Sequence, residues 1–119
     1  DIVAIARMAQ LYERHGQRAV DKLLAPKERS EFMTARHPER FLAKRFAAKE
    51  AFAKALGTGL AYPVTLANIG ITHDARGRPW FEYEAVLAAY LAERAVAAQL
   101  SISDERDFAI AFVIMERVG

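Results

Sequence analysis

The chain has 119 residues, no cysteine and a formal net charge of +2. This length suits one domain with much of its surface uncovered. Without thiols there are no disulfides or thiolate metal sites, and so small a basic excess, interleaved with acids, does not by itself call for nucleic acid. No apolar run is as long as a membrane span, no signal-peptide pattern is visible, and a cytoplasmic protein is expected.

In chain order, Asp1 to Ile5 is the end of a strand or the lead-in to a helix. A first helix follows over about Ala4–His15, interrupted at Gly16 and resumed over Gln17–Leu24. Pro26 suits a first helical turn and opens a short helix over Lys27–Met33. Pro38 opens the longest helix, Pro38–Leu56, which Gly57 closes in the usual role of a C-terminal glycine. Thr58–Pro63 is a loop. Strands over Ala67–His73 and Pro79–Tyr83, joined by the turn Asp74-Ala75-Arg76-Gly77, form a hairpin. An alanine-rich helix over Glu84–Gln99 precedes two last strands, Leu100–Ser103 and Phe108–Glu116, around the charged turn Asp104–Asp107. The fold class is α+β: a small antiparallel sheet with a long central helix and several shorter ones.

The long helix carries charges where its wheel is apolar. At about 100° per residue, Phe41, Leu42, Phe46, Phe52 and Leu56 make one broad arc, and Arg45 and Lys49 fall inside it. The far side holds Ala43, Ala47, Ala51 and Ala55, which admit another backbone closely. Arg45, Lys49, Glu50 and Lys54 therefore need partners, because buried charges are paired or liganded. Two readings fit. In one, the lysines snorkel and Glu50 pairs with Lys54 at i, i+4. In the other, Glu50 holds a metal, the bases hold phosphates, and Gly57-Thr58-Gly59 lets the ligand approach the backbone.

The segment Arg40-Phe-Leu-Ala-Lys-Arg-Phe-Ala-Ala-Lys-Glu-Ala51, running on to Gly57-Thr58-Gly59, closely resembles the signature of holo-acyl-carrier-protein synthases, a 4′-phosphopantetheinyl transferase family. The opening Asp1-Ile-Val-Ala-Ile-Ala-Arg7 is similar to that family's second signature, and Asp104–Ala109 to its last hairpin. The resemblance covers essentially the whole chain, and it implies the 4′-phosphopantetheinyl transferase fold. It further implies transfer of the 4′-phosphopantetheine arm of coenzyme A to a serine of an acyl carrier protein, for fatty acid biosynthesis, releasing adenosine 3′,5′-bisphosphate. Magnesium on Asp1 and Glu50 would neutralise the charge of the displacement. Lys54 would stabilise the transition state. Arg45 and Lys49 would face the nucleotide phosphates, beside Gly57 and Thr58. The base that takes the serine proton, Glu50 or a water on the metal, stays open.

The resemblance also implies that the first helix receives the acidic carrier protein through Arg7, Arg14 and Arg18, if the helix continues through Gly16. It implies a homotrimer with sites between subunits. This fits Phe108–Met115, which is apolar on both faces, so that helices or a second subunit must cover each face. A strand preceding Asp1 is expected. Many members carry histidine where this chain has Asp104, so a histidine-dependent role there does not carry over. His15, His37 and His73 show no metal spacing, and Trp80 is expected in the core or an interface. Two other readings remain: the same chemistry as a domain of a larger synthase, or a small basic nucleic-acid-binding module. The latter lacks the aromatic pattern of single-strand recognition and leaves the Arg45-Lys49-Glu50-Lys54 group unexplained. Neither a nucleic-acid nor a membrane partner is expected.

Overall fold

The computed structural model describes residues 1–119. Strand β1 is Ile2–Ala4. Helices α1 (Ile5–His15), α2 (Gln17–Leu23), α3 (Pro26–Met33) and α4 (Pro38–Leu56) follow. A 3-10 turn over Leu66–Asn68 leads into β2 (Ile69–His73) and β3 (Pro79–Tyr83), and then come α5 (Ala85–Arg94), β4 (Val96–Asp104) and β5 (Phe108–Arg117). The strands form two antiparallel sheets, one ordered β1-β5-β4 and the other a β2-β3 hairpin. No helix is long and apolar enough to cross a membrane.

Helix α4 lies against β5. Ala43, Ala47, Ala48 and Ala51 on the helix and Ala109 and Ala111 on the strand are all buried in one cluster with Leu42, Phe46 and Met8. Small residues on both sides let helix and sheet approach closely, and each large buried side chain around them contributes about 1.5–3 kcal/mol. Pro38 stands in the first turn, and Gly57, at φ 86°, takes the left-handed conformation that caps the end. A second cluster packs Phe52 against Val64, Ile69, Leu87 and Leu91.

Two expectations need correction, and a third is narrowed, since Trp80 lies outside the core. Gly16, at φ 54° and ψ −129°, ends α1 and starts α2 afresh, so Arg7 and Arg14 do not share one continuous helix with Arg18. Helix α5 stops at Arg94, and β4 already begins at Val96. Its residues Val96, Ala98, Leu100 and Ile102 are half-buried while Ala97, Gln99, Ser101 and Ser103 are exposed, an alternation of period two that alanine content disguises as helix. Trp80 is exposed, with the Arg78 guanidinium 4.2 Å above its ring.

Helix α4 covers only one face of β5. Phe108, Ile110, Phe112 and Ile114 point away and are exposed, as is Ile2, which pairs with Ile110 in the ladder.

Candidate active site

Glu50 and Lys54 lie one turn apart on α4. The Lys54 Nζ donates to Asp1 Oδ1 at 2.6 Å, which brings Asp1 to this side of the helix. The Asp1 backbone exchanges hydrogen bonds with Ala111 on β5, continuing the β1–β5 ladder. Asp1 is thus held by the sheet, Glu50 and Lys54 by the helix, and packing of α4 on β5 sets their relation. The Glu50–Lys54 pair of the snorkelling alternative does not form: Lys54 goes to Asp1, and Glu50 has no ion-pair or hydrogen-bond partner for its carboxylate.

Glu50 lines a cleft of about 560 Å³ between α1, α2 and α4. Leu11, Leu23, Phe46, Leu60 and Leu66 give it apolar walls, while His15, Arg18 and Lys22 supply basic groups. Of the three arginines expected to receive a partner, Arg18 lines this cleft. Arg7 is exposed, 5.4 Å above the ring of Phe46, and Arg14 is exposed in the last turn of α1. Beyond α4, Thr58 Oγ1 donates to the Gly59 carbonyl, and the amides of Thr58 and Gly59 meet no protein acceptor.

Arg45 and Lys49 are not at this surface. They are 3 % and 0 % exposed and turn inward onto Glu28, itself 2 % exposed. Lys49 Nζ lies 2.6 Å from Glu28 Oε1, and Arg45 Nη1 lies 2.8 Å from Glu28 Oε2. Burial pulls the Lys49 amine down to about 8, against the opposing pull of Glu28. Their expected place beside nucleotide phosphates is corrected: buried carboxylate, not ligand, satisfies them. The helical wheel predicts that both need partners, but not which. Glu28 stands at the third position of α3, where its carboxylate also accepts the Ala25 amide at 2.8 Å, and a proline two residues before a glutamate is the only local sign of that turn.

Asp104 is engaged by Arg40 Nη1 at 2.8 Å and by Lys44 at 3.7 Å, so it anchors the β4–β5 turn to α4. The histidines do not cluster, and no group of three or more metal-ligating side chains occurs. Two carboxylates with few protein partners still suit magnesium, which binds one or two carboxylates and fills its remaining positions with water and substrate phosphate. The donor set at Asp1 and Glu50 therefore fits that ion.

The helix-on-sheet frame thus carries a half-buried Asp1 paired with Lys54 and, one turn back on α4, an unpaired Glu50 at a cleft with basic groups. A family model of the 4′-phosphopantetheinyl transferase superfamily matches residues 1–113, and the chain belongs to that superfamily. It is 54 % identical over 116 residues to the holo-[acyl-carrier-protein] synthase of Dechloromonas aromatica, covering 98 % of this chain and 93 % of that one. The crystal structure of the Neisseria meningitidis holo-[acyl-carrier-protein] synthase superposes with a TM-score of 0.95 at 47 % identity, covering 98 % of this chain and 94 % of that one. The Helicobacter pylori synthase, solved in complex with coenzyme A, superposes with a TM-score of 0.82 at 27 % identity, covering 98 % of this chain and 96 % of that one.

Proposed function

We propose that this chain transfers the 4′-phosphopantetheine group of coenzyme A to a serine of apo-acyl carrier protein. The observation that carries the reading is the unpaired Glu50 carboxylate at a cleft with basic groups, one turn from the Lys54–Asp1 pair. The likeness to a synthase solved with coenzyme A supports it. In this reaction the serine oxygen forms a bond to a phosphorus of the pyrophosphate. The bond to adenosine 3′,5′-bisphosphate breaks, and the serine proton leaves to a base. Asp1 and Glu50 would hold magnesium, which supplies charge neutralisation at the pyrophosphate. Lys54, its side chain 70 % exposed, can leave Asp1 for a phosphate oxygen without losing core packing. The free amides of Thr58 and Gly59 offer further donors to the anion. The nucleic-acid module falls away with membership of the transferase superfamily.

The protein acts in the cytoplasm in fatty acid biosynthesis, as a homotrimer with sites between subunits. The bare apolar face of Ile2, Phe108, Ile110, Phe112 and Ile114 supports assembly, because a patch of this kind on a small domain marks a contact surface.

Mass spectrometry of apo-acyl carrier protein incubated with coenzyme A, Mg2+ and this protein tests the reading. A phosphopantetheine increment on serine is expected. It should vanish with excess chelator and fall at least about 100-fold in rate for Glu50→Gln, which keeps the shape and removes the charge. Full transfer by the variant, or in chelator, refutes the metal role.

A further inference from the structure

Outside the cleft, the chain buries a charged group whose wiring is more elaborate than packing requires. One carboxylate, Glu28, receives four donors. Its Oε1 accepts from Lys49 Nζ at 2.6 Å and from the Ala25 amide at 2.8 Å. Its Oε2 accepts from Arg45 Nη1 at 2.8 Å and from the Ile71 amide at 3.3 Å. Lys49 also donates to the carbonyls of Leu23 (2.7 Å) and Leu66 (2.9 Å), and Arg45 donates to the Ile71 carbonyl (3.0 Å) and to Glu31 (2.8 Å). The group thereby ties α4 to the start of α3, the end of α2, the 3-10 turn and β2.

Stability does not explain such a group. A buried ionic cluster replaced by apolar side chains of like volume commonly leaves a protein as stable or more so. What directional bonds supply, and apolar contact does not, is a single setting. Apolar contact along the alanine-lined face of α4 on β5 is non-directional and by itself selects no single rotation. Any rotation pulls Lys49 and Arg45 away from Glu28 and strands charges in the core. Glu50 directly follows Lys49, about 100° around the helix, and Lys54 lies one turn further. The setting of Lys49 is therefore the setting of Glu50.

We propose that Glu28 is a positioning residue for the transfer reaction: through Lys49 and Arg45 it fixes the rotation of α4 that sets Glu50 at the cleft and Lys54 on Asp1. The inference rests on the reading of Asp1 and Glu50 as the metal-holding pair.

The test compares wild type, Glu28→Gln and the triple variant Glu28→Leu/Arg45→Met/Lys49→Met. Urea unfolding gives stability, electron paramagnetic resonance gives Mn2+ affinity without turnover, and steady-state kinetics give kcat and the KM for coenzyme A. The triple variant should unfold at or above the wild-type urea midpoint. It should nevertheless bind Mn2+ about tenfold more weakly, the order seen when groups that orient metal ligands are removed. Its kcat should fall while the KM for coenzyme A changes little. Glu28→Gln, nearly isosteric, should show the same weakening while still folded, which covers a triple variant that fails to fold. A folded variant with wild-type Mn2+ affinity and kcat overturns the positioning role, and so does a rise in the KM for coenzyme A alone, which would return Arg45 and Lys49 to direct phosphate contact. Wild type that binds no Mn2+ overturns the metal reading itself, and this inference with it.

Discussion

Lys49 shows how a side chain can be charged and internal at once. Three acceptors surround its amine, two of them carbonyls that still hold it when it is neutral. Burial lowers its proton affinity from the ordinary 10.5 to about 8, so between these values the unfolded chain binds a proton that the folded chain does not. Stability therefore gains from this group as pH rises from about 8 toward 10.5. Urea unfolding at pH 8 and pH 10 should show that gain in wild type relative to Lys49→Met, and 15N NMR should find one amine titrating near 8 while exposed lysines remain charged. A Lys49 signal that titrates with the others contradicts the burial argument. Ala95, which ends α5 at φ 52°, is the only non-glycine residue with positive φ. Its neighbour Val96 starts the strand at once, so the helix has no room for a gentler exit.

At the scale of elements, β5 has two faces with different tasks. Ala109 and Ala111 accept α4, and their neighbours Phe108, Ile110 and Phe112 face outward. Replacing Phe112, 65 % exposed and outside both core clusters, by glutamate leaves the core packing in place but sets a charge in the proposed subunit interface. Sedimentation equilibrium should give about three chain masses for wild type and a shift to monomer for Phe112→Glu, with an unchanged far-UV spectrum. A variant that remains trimeric places the interface elsewhere. Which elements the sequence made legible follows from how local their causes are. Helix α4 starts at a proline and stops at a glycine, so both its ends could be read. The end of α5 could not, since Ala95 is no usual helix stop and the strand after it is defined by β5, whose partners lie up to 21 residues away in sequence. The roles proposed for Glu50, Lys54 and Asp1 come from the family signature. Glu28 was not legible, because its partnership spans 17 and 21 residues and exists only once α3 has packed against α4.

At the scale of the whole molecule, a net charge of +2 understates the local field. His15, Arg18 and Lys22 share the cleft of Glu50, with Arg14 exposed nearby in sequence at the end of α1. Under the proposed function, an acidic carrier protein approaching this side would be steered by that field, and salt should weaken the encounter. Arg14→Glu combined with Arg18→Glu should raise the KM for acyl carrier protein about tenfold at low salt, within the range of electrostatic steering. Coenzyme A affinity, measured by calorimetry on the same variant, should stay near wild type. An unchanged KM, or an equal loss of coenzyme A affinity, removes these residues from docking.

The β1–β5 ladder joins Ile2 with Ile110 and Ala4 with Phe108, across nearly the whole sequence. During synthesis, helices α1 to α4 leave the ribosome well before β5 exists, and α4 can gather its apolar neighbours early. Asp1 has no strand to hold it until Phe108–Ala111 emerge. The carboxylate that completes the proposed metal pair is therefore seated last, because loop-closure entropy delays the most distant pairing. A nascent chain interrupted before β5 would own its long helix, Glu50 and Lys54, yet stay inert.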